Sequence, residues 1–290
     1  MGGFIPFPAT NAWNEDVSQS PVDPNSSTYI NGAGLGANVT SHADFGTVWA
    51  GVPNGIPYYV VPGTQPLVPV TFGAYASESD AGPYPLPTDA TTANEMIEGG
   101  SAASNTGDRH VLVIDRDHLK LYEMWNSSLR SDGWHADSGA VFDLVNGTTR
   151  PAGWTSADAA GLPVFPGLAR YDEVMTRGVI NHALRFTASA SQNGYVYPAN
   201  HSAGSANTSL PPMGMRVRMK ASYSCSALSA PVRIICTALK KYGMILADNG
   251  TPWAIAGAPN PNWSDSDLHD LTLIPGSAFE VIQMGSITKQ

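Results

Sequence analysis

The sequence predicts a mainly-β protein, a β-sandwich or barrel-like single unit with a few short helices and long ordered loops. Glycine and proline occupy 29 and 23 of the 290 positions, and charged residues make up only 13% of the chain. Helical bundles need many Lys, Glu and Arg residues, so this composition disfavours them. Short apolar runs between turn signals are typical of sandwiches and barrels. A hydrophobic fraction of 42% supports a large core and argues against disorder.

The composition of the chain changes at about residue 57. Residues 1–57 are rich in Pro, Gly, Asn and Ser, and we expect them to wrap the surface as a loop-rich N-terminal segment. Residues 58–290 are expected to form the mainly-β core. No linker separates the two segments, so we treat them as one domain. Four aromatic residues are expected to anchor the N-terminal segment: Phe4, Phe7, Trp13 and Phe45.

Six segments are predicted strands because apolar residues alternate or cluster in them between turn signals. Arg116-Asp117 indicates a tight hairpin turn after the first of them, and Asn146-Gly147 ends the third. The last segment alternates strictly, so its apolar residues are expected to face inward and its three basic residues outward. The segments are His110–Asp115, His118–Met124, Ala140–Val145, Val179–Thr187, Gly194–Tyr197 and Met215–Lys220.

Helices are expected to be few. Pro231–Tyr242 is the best candidate and is expected to be the longest, with a proline near its first turn, two lysines at its end and Gly243 as its stop. Ala169–Arg177 and Asp265–Leu271 are shorter candidates, the second capped by Ser264.

The charge of the chain bounds its partners. The formal net charge is −9, and 15 basic residues are spread over the whole chain. We therefore expect no nucleic-acid partner and no binding to an anionic membrane surface. The longest apolar runs are too short to span a bilayer, and no signal peptide follows Met1. Abundant Asn, Ser, Thr and Gly with few charges suits an extracellular protein, so we expect secretion.

Cys225 and Cys236 are the two cysteines of the chain. They allow one internal disulfide, which would fit an extracellular protein. Two buried free thiols, each packing as a small hydrophobic side chain, are the alternative.

Several common catalytic patterns are absent from the sequence. It has no GxSxG nucleophile elbow, no HExxH zinc motif, no P-loop and no GxGxxG turn. We expect no cofactor and no metal. One metal-binding alternative stays open if two loops meet, and its ligands would be His42, Asp44, Glu98, Asp108 and His110.

Carboxylates are the leading catalytic candidates because glycoside cleavage needs two of them. Asp143 lies between apolar neighbours, which would raise its pKa. Asp158 follows Trp154, whose ring could stack on a sugar, although Asp158 could equally cap a helix. Asp44 and Glu98 are further loop carboxylates of similar weight.

Other polar and aromatic residues complete the candidate site. His182 shares an apolar face with its neighbours and is either a core residue or a catalytic one. The candidates for substrate binding are Trp154, His110, His201, Tyr197 and Arg185. The most specific hypothesis places Asp143 and Asp158 on one cleft, with Trp154 between them and His182 on the floor.

Three phrases of the sequence carry a resemblance: Gly153–Asp158, Arg170–Val174 and Lys241–Gly250. The chain resembles a group of large secreted proteins of soil bacteria that carry the same phrases in the same order, from about Trp13 to about Val281. This resemblance implies an extracellular protein that forms a single unit. The group has no established activity, so the resemblance implies nothing about catalysis.

Three functions follow from these residues, all with a polysaccharide or oligosaccharide partner. The first is a glycoside hydrolase with paired carboxylates. The second is a non-catalytic carbohydrate-binding or cell-surface module, in which Trp134, Trp154 and Tyr197 stack on glycan. The third is a polysaccharide lyase, in which His182 or Tyr197 abstracts a proton and Arg185 or Arg216 neutralises a uronate. A cleft with two carboxylates about 5–10 Å apart would favour the hydrolase.

Overall fold

The computed structural model describes residues 3–100, 107–147 and 149–290. The predicted mainly-β class is confirmed, with 26% of residues in strands and 18% in helices. The strands form several separate sheets, and no sheet in the described part of the chain closes into a barrel.

The described strands are short and follow one another along the whole chain. In chain order they are β1 (His42–Asp44), β2 (Val48–Trp49), β3 (Val52–Pro53), β4 (Tyr58–Val61), β5 (Val70–Phe72), β6 (Val111–Asp115), β7 (Lys120–Trp125), β8 (Ser128–Arg130), β9 (Gly133–Ala136), β10 (Ser138–Asp143), β11 (Leu184–Ala188), β12 (Gly194–Tyr195), β13 (Arg216–Met219), β14 (Met244–Asn249), β15 (Ala254–Ala256), β16 (Phe279–Val281) and β17 (Thr288–Lys289).

Helices are short, as the sequence predicts. The α-helices are α1 (Ser26–Asn31), α2 (Ala90–Met96), α3 (Ala230–Lys241) and α4 (Asp265–Leu268). Single turns of 3₁₀-helix cover Ala76–Glu78, Phe165–Gly167, His269–Leu273 and Gly276–Ala278, and Asp172–Arg177 is a π-helical turn. With 12 residues, α3 is the longest of these helices, and Gly243 follows it with φ of 67°. Only glycine adopts this backbone conformation without strain, so the predicted stop is confirmed.

A six-stranded mixed sheet forms the first layer, in the order β1-β15-β11-β14-β13-β16. Its central pair, β11 and β14, is parallel, and β14 pairs antiparallel with β13. Met215, Val217 and Met219 are fully buried, which confirms the predicted inward face around β13. Arg216 is buried as well, contrary to the expectation of an outward face, because its guanidinium donates to the carbonyl oxygen of Tyr242.

The other two main layers are a four-stranded sheet, β10-β7-β6-β4, and a three-stranded sheet, β5-β9-β8. The side chains of β6 point alternately into two hydrophobic cores, because successive side chains of a strand lie on opposite faces of its sheet. Leu112 and Ile114 join the large core shared with the six-stranded sheet, whereas Val111 and Val113 join the smaller core under the three-stranded sheet. The four-stranded sheet is therefore buried on both faces.

Most predicted boundaries differ from the structure by one to three residues, and two of the differences have a clear physical cause. The β6–β7 hairpin pairs Asp115 with Lys120, so four residues form its turn rather than the two of Arg116-Asp117. The Asp115 carboxylate accepts hydrogen bonds from the amides of Asp117 and His118, which stabilises this longer turn. Of the predicted strand 179–187, only the part from Leu184 onward pairs, because residues 179–183 approach the sheet as irregular backbone.

The N-terminal segment contributes to the main core rather than lying over a finished one. Phe7, Trp13 and Phe45 are buried in the same core as the six-stranded sheet, and Phe4 packs against it. The amide of Ala183 donates to the carbonyl oxygen of Trp13 over 2.6 Å, which ties this segment to the entry of β11.

Cys225 and Cys236 form a disulfide that joins the loop before α3 to the middle of that helix. The side chain of Met219 packs against the bridge, with its sulfur 3.1 Å from Cys236 Sγ. The bridge closes a loop of only about 12 residues, and in the chain-entropy model such a closure stabilises the fold by about 3 kcal/mol.

Loss of the disulfide is expected to lower the free energy of unfolding by about 3 kcal/mol. Urea unfolding of the Cys225→Ala/Cys236→Ala double variant and of reduced wild type measures this loss. The reduced wild type is the control for lost packing, because it keeps both sulfur atoms. Mass spectrometry of the unreduced chain, alkylated under denaturing conditions, should show no label, and two labels per chain would refute the bridge.

Candidate functional site

A polar pocket of about 160 Å³ opens where the loop 154–162 meets the ends of β7 and β14. The amide of Ala160 donates to the carbonyl oxygen of Ala247 in β14 over 3.0 Å, so the loop is fixed against the six-stranded sheet. Three carboxylates line the pocket: Asp108, Asp158 and Asp248. Two of them lie on irregular backbone, and Asp248 lies near the end of β14.

A buried ion pair lies directly behind the pocket. Arg185, from β11, places its Nε 3.2 Å from Oδ2 of Asp158. The exposed fraction of the Asp158 side chain is 0%, and that of Arg185 is 5%. Burial raises the pKa of Asp158, while Arg185 and the amide of Ala160 act in the opposite direction. The guanidinium is the charge that makes a buried aspartate tolerable at this position.

Asp248 is only half-buried, whereas the side chain of Asp158 is fully buried. The pKa of Asp248 is raised, so that its carboxyl keeps its proton near neutral pH. Burial and then the negative charge of Asp158 raise its pKa to about 7, although Arg185 counteracts part of this effect. Two acids that share one guanidinium cannot both ionise easily. Since Arg185 pairs directly with Asp158, we place the negative charge on Asp158 and the proton on Asp248.

An exposed acid and two aromatic rings form the outer wall of the pocket. Asp108 is exposed, and Trp125 Nε1 lies 3.5 Å from its Oδ1. The rings of Trp125 and Tyr75 lie 6.3 Å apart at an angle of 57°. Both rings are partly open to solvent, so an apolar surface lies beside the carboxylates.

His201 and Asn249 line another part of the pocket wall. His201 Nδ1 lies 2.7 Å from the carbonyl oxygen of Ala159 and donates to it, which leaves Nε2 as an acceptor. Asn249 donates from Nδ2 to the carbonyl oxygen of Ala203 over 2.9 Å. Within the described residues, its buried Oδ1 has no hydrogen-bond partner. Both side chains thus offer an acceptor atom at the pocket.

Glu98 and His110 form a second pair next to the pocket. Their Oε2 and Nδ1 atoms are 2.7 Å apart, and His110 Nε2 donates to the carbonyl oxygen of Ala157 over 3.0 Å. Burial alone would lower the pKa of His110, but the Glu98 carboxylate outweighs it and raises the pKa to about 9. Burial would raise the pKa of Glu98, and the charge of His110 lowers it instead. This charged pair fixes the backbone just before Asp158.

Glu123, in β7, is a fully buried acid near the same cluster. Its carboxylate accepts hydrogen bonds from the amides of Val164 and Phe165, each over 2.8 Å. Burial raises the pKa of Glu123 to about 7, against the effect of these two amides, and Asp158 adds to the increase. Glu123 anchors the segment that follows the pocket loop. Nothing in the sequence around it marks this glutamate, which lies inside a strand, as part of a site.

Asp143 does not join the pocket, so the hypothesis of a cleft shared with Asp158 is corrected. Its carboxylate accepts from the amides of Val145 and Asn146 and from the Asn146 side chain. These hydrogen bonds lower the pKa of Asp143, whereas the sequence analysis expected an increase. The Asn146-Gly147 turn therefore uses this aspartate as its own stabilising acceptor.

His182 also lies away from the pocket, in a buried ion cluster of its own. Its Nε2 lies 3.2 Å from Glu173 Oε2, and Arg170 lies 2.6 Å from the other oxygen of Glu173. The pKa of Glu173 falls to about 2, because the charges of His182 and Arg170 outweigh its burial. The catalytic expectation for His182 is corrected: it belongs to the core cluster that holds the π-helical turn against β11.

The other sequence candidates are distributed around the pocket. Trp154 is outside its lining, with the Arg150 guanidinium 5.5 Å from the centre of its ring. The side chain of Tyr197 is 68% exposed and faces a different depression. Asp44 ends β1 within electrostatic reach of Arg185, and desolvation raises its pKa. Among the described residues, no group of three or more His, Cys, Asp or Glu side chains is placed to hold a metal ion.

The structure thus assembles Asp158, His110, His201, Arg185 and Glu98 around one pocket. It adds residues that the sequence analysis did not select for this role. Asp248 is the last residue but one of β14, directly before Asn249-Gly250, and this position near a strand end was the available signal. Trp125 and Tyr75 had none, because an aromatic residue in a core and one at a pocket look the same in sequence.

No protein-family model, curated protein or solved structure matches this chain. The resemblance to secreted soil-bacterial proteins therefore stays a prediction, and the geometry of the pocket carries the functional assignment. No helix in the described residues is long and apolar enough to cross a bilayer.

The Glu98–His110 pair should make stability depend on pH. The pKa of His110 is about 9 in the folded chain and 6.5 when unperturbed. The stability that it contributes is complete below pH 6.5 and is lost as the pH rises through about 9, by at most about 3 kcal/mol. Urea unfolding of wild type and Glu98→Gln between pH 6 and 10 tests this. The loss should be much smaller in Glu98→Gln, and equal slopes would contradict the pairing.

Proposed function

We propose that the chain is a glycoside hydrolase that cleaves a polysaccharide or oligosaccharide at this pocket. One arrangement carries the proposal: the half-buried carboxyl of Asp248, whose pKa burial and the charge of Asp158 raise to about 7, lines the same pocket as the exposed carboxylate of Asp108. A protonated acid and an ionised one on the same small pocket are the two groups that glycoside cleavage requires.

Asp248 is the general acid in this proposal. A carboxylic acid with a pKa of about 7 is protonated in about half of the molecules at neutral pH and is a strong enough acid to donate. It donates its proton to the glycosidic oxygen while the bond from that oxygen to the anomeric carbon breaks. Its half-buried position lets the carboxyl reach a substrate.

Asp108 is the general base. Its side chain is exposed, and its negative charge contributes to the raised pKa of Asp248, so the two acids are within electrostatic reach of each other. A water molecule between Asp108 and the sugar forms the new bond to the anomeric carbon and gives one proton to Asp108. One glycosidic bond is thereby exchanged for one bond to water.

Asp158 and Arg185 are positioning residues rather than groups that touch substrate. The side chain of Asp158 has no exposed surface and its Oδ2 is engaged by Arg185, so we assign it no contact with the substrate. Its negative charge raises the pKa of Asp248, and Arg185 keeps that charge in place. The original expectation of a catalytic Asp158 is thereby replaced by an electrostatic role.

The remaining wall suits a sugar ring. Trp125 and Tyr75 offer ring faces to the C–H surface of a pyranose, and Asn249 Oδ1 and His201 Nε2 are free to accept from hydroxyl groups. The pocket of about 160 Å³ is smaller than the ~300–1,000 Å³ of typical drug-sized sites. It therefore fits one sugar unit, with the rest of the chain extending outside.

Neither alternative fits this geometry as well. The lyase hypothesis assigns the uronate to Arg185 or Arg216, but Arg185 is paired with Asp158 and Arg216 donates to the carbonyl oxygen of Tyr242. A binding module needs aromatic platforms only and gains nothing from an acid with a raised pKa. The disulfide supports secretion, because such bridges persist in oxidising compartments.

Replacing either catalytic acid should abolish turnover while the fold survives. Asp248→Asn and Asp108→Asn should each lower kcat by about 10²–10⁴, because each removes one proton transfer. Wild-type kcat/KM should fall as the pH rises through about 7, where Asp248 loses its proton. In Asp158→Asn this fall should move to lower pH, because the charge that raises the Asp248 pKa is gone.

Asp143→Asn is the matched control, because Asn keeps the turn and Asp143 lies away from the pocket. The assay is a polysaccharide panel read for reducing ends and for the ultraviolet absorbance of unsaturated sugars. Unsaturated products would assign a lyase. Full activity in Asp248→Asn and Asp108→Asn with unchanged melting would refute the proposal, as would a wild type that cleaves no glycan.

A further inference from the structure

Arg109 is a buried arginine whose two terminal nitrogens have no hydrogen-bond partner among the described residues. The residue is 3% exposed, and its Nε donates to the carbonyl oxygen of Ser127 over 3.0 Å. Across the described residues, neither Nη1 nor Nη2 meets a hydrogen-bond acceptor, and Ser127 Oγ, also fully buried, lacks one too. Guanidinium groups in proteins are normally satisfied, so this arrangement calls for an explanation.

Both side chains line a polar groove of about 400 Å³ on the three-stranded sheet. Two further basic side chains, Arg130 and His135, line the same groove. Among the described residues that line it, the acid is Asp137, whose Oδ2 accepts from Asn126 Nδ2 over 2.7 Å and whose Oδ1 accepts from the amide of Ala74 over 3.3 Å. The groups of the groove that lack a hydrogen-bond partner can therefore donate hydrogen bonds, as an anion-binding site requires.

The backbone at this groove is held in the left-handed conformation, which residues other than glycine seldom adopt. Arg109 has φ of 52° and Asn126 has φ of 54°, both in the left-handed region. The two segments are joined by hydrogen bonds, from the amide of Asn126 to Asp108 and from that of Ser127 to Arg109. Backbone strain that the surrounding structure maintains is typical of functional sites.

We propose that this groove binds an oxyanion, a carboxylate or a sulfate ester, between the Arg109 guanidinium and the Ser127 hydroxyl. The planar guanidinium fork presents two donors to two oxygens of one anion, and the hydroxyl can add a third. Binding would restore the hydrogen bonds that both buried side chains lack.

The groove adjoins the pocket, which indicates where the anion sits in a substrate. Three pairs of consecutive residues each contribute one residue to the pocket and one to the groove. Asp108, Trp125 and Ser138 line the pocket, whereas Arg109, Asn126 and Asp137 line the groove. Consecutive residues of the same segments therefore line the two cavities, which lie next to each other. The substrate class that we infer rests on the proposed hydrolase function. It is an acidic glycan whose charged sugar unit lies beside the sugar unit that is cleaved.

Calorimetric titration of the folded chain tests the site with three probes: inorganic sulfate against chloride at matched ionic strength, a tri-uronate, and a neutral trisaccharide. Wild type should bind sulfate or the tri-uronate. Arg109→Lys should weaken that binding by about tenfold or more, since lysine lacks the fork, and Ser127→Ala should weaken it less. Arg116→Gln, in the exposed β6–β7 turn, is the control and should bind as wild type does.

Sulfate binding alone assigns a sulfated glycan, and tri-uronate binding alone assigns a uronate; both outcomes support the site. Wild type that binds neither anion, or equal affinity in wild type, Arg109→Lys and Ser127→Ala, would overturn it. The hydrolase proposal can be refuted independently of the anion site. Anion binding that depends on Arg109 in a chain that cleaves no glycan refutes only the hydrolase, whereas cleavage without anion binding refutes only the groove.

Discussion

The buried guanidinium of Arg185 is the charge on which the rest of the pocket depends. An arginine and an aspartate removed from water are costly to bury, and their attraction repays this only when the contact is close. Arg185 Nε meets Asp158 Oδ2 at 3.2 Å. Burial and then the negative charge of Asp158 raise the pKa of the next carboxyl, Asp248, to about 7, against the opposing effect of Arg185.

The layered fold explains why these groups meet. Arg185 and Asp248 lie on the paired strands β11 and β14 of one sheet, whereas Asp158 comes from a loop that bridges to the next sheet. The Glu98–His110 pair holds the carbonyl of Ala157 and so fixes that loop from the other side. A rigid scaffold thus positions acids contributed by irregular segments, as is common for functional sites.

Local patterns predicted the fold better than they predicted the site. Strict alternation gave β13 its inward face, and a proline, two lysines and a glycine gave α3 its bounds. The site depends on contacts between residues far apart in sequence, which no local pattern encodes. Asp143 looked desolvated because its neighbours are apolar, but its carboxylate turns back to the adjacent amides. His182 could be a core residue or a catalytic one from its sequence, and its contact with the buried Glu173, nine residues earlier, places it in the core.

The central claim is that burial and the charge of Asp158 together raise the pKa of Asp248, and carboxyl NMR of Asp248 during a pH titration tests it most directly. Wild type should show a pKa of about 7 for Asp248, far above the ordinary 3.8. In Asp158→Asn the pKa should fall, because the nearby negative charge is removed while Arg185 remains to favour the ionised form. A wild-type pKa near the ordinary value, or an unchanged pKa in Asp158→Asn, would contradict the account.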